Sequence, residues 1–316
     1  MLKRWFLILF VSFFLVCSAA HAGRIAYIYG DVAADGTIPS GNAEPYDQML
    51  LTDTGNTGLS QFKTLVESQG HTINQFYDQT TLLTAAFLNG FDAVIFGLHQ
   101  KLWSSSEKNN LDAWLRNGGG MLIYSDSASG GLFSIVGGQN DTGQRVTNNL
   151  IAQYGMQVTV DQANGVKAYR ASPSPSNALM SGRPIFEGEG VSPVAVSAGN
   201  GIEVLIPYRN NSDNRVSGNA DINHLQNVTI NNPSFAALAL RPLGNGNIMV
   251  MFDRQPMWNN GPGSDINERD NREILRRIMN FLAQPTSTPT PTPSPAPPAN
   301  SSNDAIINGA LLLLTD

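Results

Sequence analysis

Short apolar runs, each too brief for a helix, alternate with segments whose apolar residues recur at helical spacing, and this alternation constrains the fold more than any other feature of the chain. Arg24 to Tyr29 reads as a first central strand ended by Gly30-Asp31, and Leu59, Phe62, Leu65 and Val66 as a helix running to Gly70. A short strand around Ile73 to Phe76, a helix carrying Leu82, Leu83, Ala86 and Phe87, and a buried-type strand from Asp92 to Leu98 follow. Ser104 and Glu107 form a capping-box pattern ahead of Leu111, Trp114 and Leu115, and that helix stops at Gly118. Such an order predicts a flavodoxin-like, doubly wound α/β fold with a mainly parallel sheet and right-handed crossovers.

In open sheets of this kind ligands sit beyond the carboxyl ends of the strands. The stretch from Gly118 to Gly131 puts three glycines, the strand Met121 to Tyr124 and then small polar residues at such an end, so Ser125, Asp126 and Ser127 are candidate site residues. His99 ends the neighbouring strand. The polar, glycine-bearing segment up to Thr57 leaves the first strand on the same side.

Beyond the glycines, Val146, Leu150, Ile151 and Tyr154 give a helix and Met156 to Val160 a strand. Residues 161–247 then form a β-rich excursion, with β-type runs such as Ile202 to Ile206 and Phe235 to Leu240 between prolines, asparagines and glycines. Ile248 to Phe252 is the last core strand, ending at Asp253-Arg254. Asp270 and Glu273 repeat the capping-box pattern before a last helix whose apolar face is Ile274, Leu275, Ile278, Met279 and Leu282. Arg269, Arg272, Arg276 and Arg277 read as its solvated side.

Residues 1–22 have the plan of a signal peptide: basic Lys3 and Arg4, an apolar stretch from Trp5 to Val16, and Ala20-His21-Ala22 before Gly23. The apolar stretch is too short for a stable span, so the mature chain is expected to be secreted or periplasmic and free of the membrane. The only cysteine, Cys17, lies in that segment, which leaves no disulfide or thiolate ligand in the mature protein. Losing residues 1–22 removes two cations and no acid, moving the formal charge from -6 to -8, a poor match for nucleic acid. Residues 23–283 make one α/β domain of 261 residues. Residues 284–303, rich in Pro, Thr and Ser, form an extended linker, and 304–316 a short tail that with the linker offers a route to an extracellular protein partner.

The series Asp92 to Leu98, the capped helix, Gly118 to Ser125, the segment Ala178 to Pro184, and Gly246 to Asp253 followed by Asp270-Asn271 resembles the class I glutamine amidotransferase-like superfamily, closest to its secreted and trehalose-utilisation (ThuA-like) branches. The resemblance implies a catalytic cysteine at the position of Ser125 and a His-Pro-Glu string where Asp253, Arg254 and Gln255 stand. With a serine in place of the thiol and no base, amidase chemistry is not expected, because a hydroxyl depends on a nearby base far more than a thiol does.

Three functional readings remain, one of them a purely structural or partner-binding module tethered by the Pro/Thr spacer. A serine hydrolase would use Ser125 as nucleophile, His99 as base and Asp126 or Asp253 to orient the imidazole. A binding cleft would hold a carbohydrate or another polar molecule through Asp126, Ser127, Arg254, Trp258 and Asn259, an indole stacking on the sugar and charged groups taking its hydroxyls. Each has a plainer counterpart: a turn bonded to its own backbone at Ser125 to Ser127, a structural His99, and an ion pair at Asp253-Arg254 with Trp258 covering the core. Asp265, Asn267 and Asp270 lack a full calcium-loop pattern, so neither metal nor cofactor is expected.

Overall fold

The computed structural model describes residues 22–30, 49–78, 80–97, 99, 101, 102–124, 142–161, 163, 165–172, 178–190, 192–208, 215–218, 222–261 and 263–284, all within one compact unit. Its centre is a nine-stranded sheet. Strands β1 (Arg24–Tyr29), β2 (Thr72–Tyr77), β3 (Ala93–Gly97) and β4 (Gly120–Tyr124) are parallel and ordered β2-β1-β3-β4. Further strands are β5 (Met156–Val158), β6 (Val160–Asp161), β7 (Lys167–Arg170), β8 (Ile185–Gly188), β9 (Val194–Val196), β10 (Glu203–Pro207), β11 (Arg215–Ser217), β12 (Leu225–Gln226), β13 (Ser234–Leu243) and β14 (Gly246–Met251). β14 lies parallel to β4 and completes the flavodoxin-like order, as expected for this alternation of elements. The β-rich excursion supplies the antiparallel half: β13 pairs with β14, β9 and β10, and β5 pairs with β9. Two small sheets, β11-β7-β8 and β12-β6, complete it.

Side chains of the parallel strands alternate between two cores, as the two-residue period of a strand requires. Ile25, Tyr27, Ile95, Leu122, Tyr124, Met249 and Met251 face α1 (Ser60–Ser68) and α5 (Asn271–Leu282). Ala26, Ile28, Val94, Phe96, Met121, Ile123 and Val250 face α2 (Ala85–Leu88), α3 (Ser105–Arg116) and α4 (Thr142–Ile151). The glycines at the start of β4 serve this packing. Gly118 has φ 117°, and a β-carbon at Gly119 would lie 2.4 Å from the Trp114 ring.

The capping box of α3 forms, with Ser104 Oγ accepting from the Glu107 amide and the Glu107 carboxylate from the Ser104 amide. The same string at α5 does not. The Asp270 carboxylate accepts from the Ile185 amide at 2.7 Å, and Glu273 pairs with Arg276 and Arg277, which hold its carboxyl down at about 2. The expected second helix is a single turn, because Thr84 caps it late; Leu82 precedes it and is 60% exposed rather than on its buried face.

Candidate functional site

The strand order reverses between β1 and β3, so their carboxyl ends mark the crevice of a doubly wound sheet. On the α1/α5 side, the rings of Tyr27 and Tyr124 reach across Gly97, and their hydroxyls lie 3.3 Å apart. Only glycine fits between them: a β-carbon at position 97 would sit 2.6 Å from both hydroxyl oxygens. Tyr27 donates to the Met49 carbonyl at 3.1 Å, so its one proton is used and Tyr124 is the donor within the pair. Burial pushes both phenols well above their ordinary range and keeps them neutral.

Around this pair lies an aromatic pole. Tyr29 stacks parallel on Tyr27 at 6.5 Å and meets Tyr77 of β2 at 5.7 Å, and both Tyr29 and Tyr77 are half-buried. The half-buried Arg254 guanidinium lies 5.0 Å from the Trp258 ring centroid, and its charge reaches both Tyr27 and Tyr124. Trp258 is only 5% exposed and donates to the Met49 sulfur, so the indole supports the guanidinium from below instead of offering an open face.

Asp253, at the end of β14, is buried and turned into the chain. Its Oδ2 accepts from the amides of Glu189 (2.5 Å) and Gly190 (3.2 Å), and its Oδ1 from those of Arg254 (2.6 Å) and Gln255 (3.2 Å). The carboxylate thus welds the turn after β8 to the turn after β14 and aims Arg254. Asn259 has a similar occupation: Oδ1 accepts from the Gln61 amide, and Nδ2 donates to the carbonyls of Asp53 and Gly55. It joins the start of α1 to the last loop.

His99 belongs to the other face. Its ring packs on Phe96 and Trp103, is 1% exposed, and Nε2 contacts the Val146 carbonyl at 3.3 Å. A carbonyl only accepts, so Nε2 carries the proton and Nδ1 holds a lone pair, which has no hydrogen-bond partner among the described residues. Burial lowers its pKa to about 4. Ser125, Asp126 and Ser127 lie outside the described residues.

A second buried cluster, supplied by the excursion, was not signalled by any local pattern. The Lys167 ammonium is enclosed by the Asp161 carboxylate at 3.4 Å and the carbonyls of Ala163 (2.5 Å) and Glu189 (2.7 Å), and Tyr208 donates its one proton to Asp161 while its oxygen lies 3.1 Å from the Gly190 carbonyl. It grips the same 189–190 turn that Asp253 holds. Among the described residues no group of His, Cys, Asp or Glu is placed to hold a metal ion. A hollow of about 390 Å³ between the side of α5 and residues 178–181, and one of about 190 Å³ at the amino ends of β1 and β3, contain none of the expected site residues.

No family model and no curated protein matches the sequence. Among solved structures, one described as mmIFT52 N-terminal domain is similar over 83% of this chain and 98% of its own, at 14% identity and a TM-score of 0.51. ThuA-like proteins from Bacteroides uniformis and Parabacteroides merdae are similar over 83% and 84% of this chain and 92% and 91% of theirs, each at 11% identity, with TM-scores of 0.44 and 0.42. At such identities the first likeness speaks for the fold, and the mixed α/β architecture around a flavodoxin-like parallel core is what the chain shares with it.

Proposed function

We propose that the chain is a secreted amidotransferase-like domain that has no amidase chemistry and binds a carbohydrate at the carboxyl ends of the parallel strands. The observation that carries this reading is the pairing of half-buried tyrosine rings, Tyr29 and Tyr77, with the half-buried Arg254 guanidinium on the same face and pole of the sheet. Aromatic faces stack on the apolar side of a pyranose, and a guanidinium takes neighbouring hydroxyls through a planar fork. Asp253 contributes by holding Arg254 in place, and Asn259 by holding the loop that carries Trp258. The loss of the His-Pro-Glu string to Asp253, Arg254 and Gln255 supports a binding role over amide hydrolysis.

Titration calorimetry with a panel of neutral and acidic oligosaccharides tests the reading. At least one ligand should bind, and Tyr29→Ala and Arg254→Gln should each weaken it about tenfold or more while leaving the fold intact. Uptake of no sugar at millimolar concentration defeats it.

A second reading, a serine hydrolase, draws on His99 Nδ1, a neutral lone pair near the end of β3 that has no hydrogen-bond partner among the described residues. Labelling by a fluorophosphonate that disappears in both Ser125→Ala and His99→Gln would favour it; no labelling would dismiss it.

A further inference from the structure

Gly23, the first residue after Ala20-His21-Ala22, is buried, whereas Ala22 before it is exposed. The Gly23 nitrogen donates to His71 Nδ1 at 2.9 Å. Because Nδ1 accepts, the proton of this imidazole is on Nε2, and that nitrogen donates to Asn280 Oδ1 at 3.0 Å. The Gly23 carbonyl accepts from the Thr72 amide at 2.9 Å, and the Arg24 amide donates to Asp92 at 2.8 Å, so the backbone is held on both sides of the residue. The fit admits no side chain: a β-carbon at position 23 would stand 2.4 Å from the Ala283 carbonyl oxygen and 2.7 Å from the Ala283 β-carbon. Asn280 and Ala283 belong to the end of α5, where the carbonyl ends of the helix favour a positive charge.

We propose that the Ala22–Gly23 bond is a processing site and that His71, Asn280 and the end of α5 form a receptor for the new amino terminus. The inference rests on the export reading above. Water, delivered by a leader peptidase, adds across the amide: its hydroxyl goes to the Ala22 carbonyl carbon, and the Gly23 nitrogen leaves as a free amine that takes up protons from solvent. The product places an ammonium where the intact chain has an amide N–H. That ammonium donates to a neutral imidazole already held in the accepting tautomer, beside the helix end and one residue from the Asp92 carboxylate, so a neutral hydrogen bond becomes a charge-assisted one. Glycine at position 23 then serves twice, as a small residue following the cleavage signal and as the only residue that fits against Ala283.

The test uses full-length precursor expressed with export, and the purified product. Its amino-terminal residue should be Gly23, read by sequencing and intact mass. In the folded product an N-hydroxysuccinimide ester should acylate the Gly23 amine about tenfold or more slowly than in denaturant, while surface lysines react at similar rates in both. Asn280→Leu, which frees the imidazole, and His71→Gln should each raise the folded-state rate toward the denatured one; Asn280→Leu serves if His71→Gln does not fold. An exported product beginning at another residue overturns the processing site while leaving export standing. A Gly23 amine that reacts equally fast folded and unfolded overturns the receptor alone. Retention of the uncleaved chain inside the cell overturns both this proposal and the export reading.

Discussion

The two faces of the sheet at its carboxyl pole present opposite environments built from adjacent residues. On the α1/α5 face, hydroxyls, a guanidinium and half-buried rings gather around Gly97, the two hydroxyls in contact with each other and the guanidinium seated over the Trp258 ring. On the opposite face His99 is packed between Phe96 and Trp103 with one nitrogen bonded and the other without a partner among the described residues. The first arrangement is what a ligand could meet; the second is a titratable group held neutral by its surroundings. The difference shows that proximity to a strand end does not make a site, since the face on which a side chain emerges decides what it can reach.

The strongest way to break the comparison is to remove the residue that separates framework from site. Asp253→Ala would leave four backbone N–H groups, those of Glu189, Gly190, Arg254 and Gln255, without their acceptor. A loss on the order of 4 kcal/mol in urea unfolding is expected. A loss under about 1 kcal/mol would mean that the carboxylate is not the weld described and would leave it available for the orienting role of the hydrolase reading.

Those features separate what a sequence can reveal from what it cannot. The alternation of runs gave the parallel half because each strand and helix carries its own period, and Ser104 with Glu107 was readable because both partners lie within one turn. Asp270 with Glu273 is the same string, yet Asp270 is recruited by the Ile185 amide, 85 positions away, which no local rule contains. Asp253 is clamped to a turn 63 and 64 positions upstream for the same reason. His99 would share the Gly97 face by strict alternation, but β3 ends at Gly97 and the ring joins Phe96 instead. The buried Lys167 had no signal at all, since its partners are mostly carbonyls.

The sealed face can be probed by pH. Burial lowers His99 to about 4, against about 6.5 for a free imidazole. Between these values the unfolded chain binds a proton that the folded chain refuses, so stability falls as pH drops from about 6.5 to about 4 and levels off below, by about 3 kcal/mol for this group. His99→Gln should flatten that slope. The contribution of Glu273, held down at about 2, lies in a lower window and is lost progressively as pH falls from about 4.5 to about 2. An unchanged slope in His99→Gln would show that the imidazole is not shut off from solvent protons.

On the open face the corresponding test is steric. Gly97→Ala would drive a methyl group to within 2.5 Å of the Tyr27 ring and 2.6 Å of both hydroxyls. Parting the pair should cost about 2 kcal/mol and alter the near-ultraviolet circular dichroism of the tyrosines. Sugar binding should weaken as well, because Tyr29 stacks on the ring that moves.

The smallest effect sharpens the contrast from the sealed side. Ser104 caps α3, which packs only on the His99 face, and its hydroxyl also contacts the Glu107 carboxylate at 2.8 Å. Ser104→Ala removes one acceptor from an exposed helix start, where water can replace it in part, so a loss of about 1 kcal/mol is expected with oligosaccharide affinity unchanged. Were affinity to fall along with stability, the two faces would be coupled through the sheet, and the division drawn between framework and site would have to include α3.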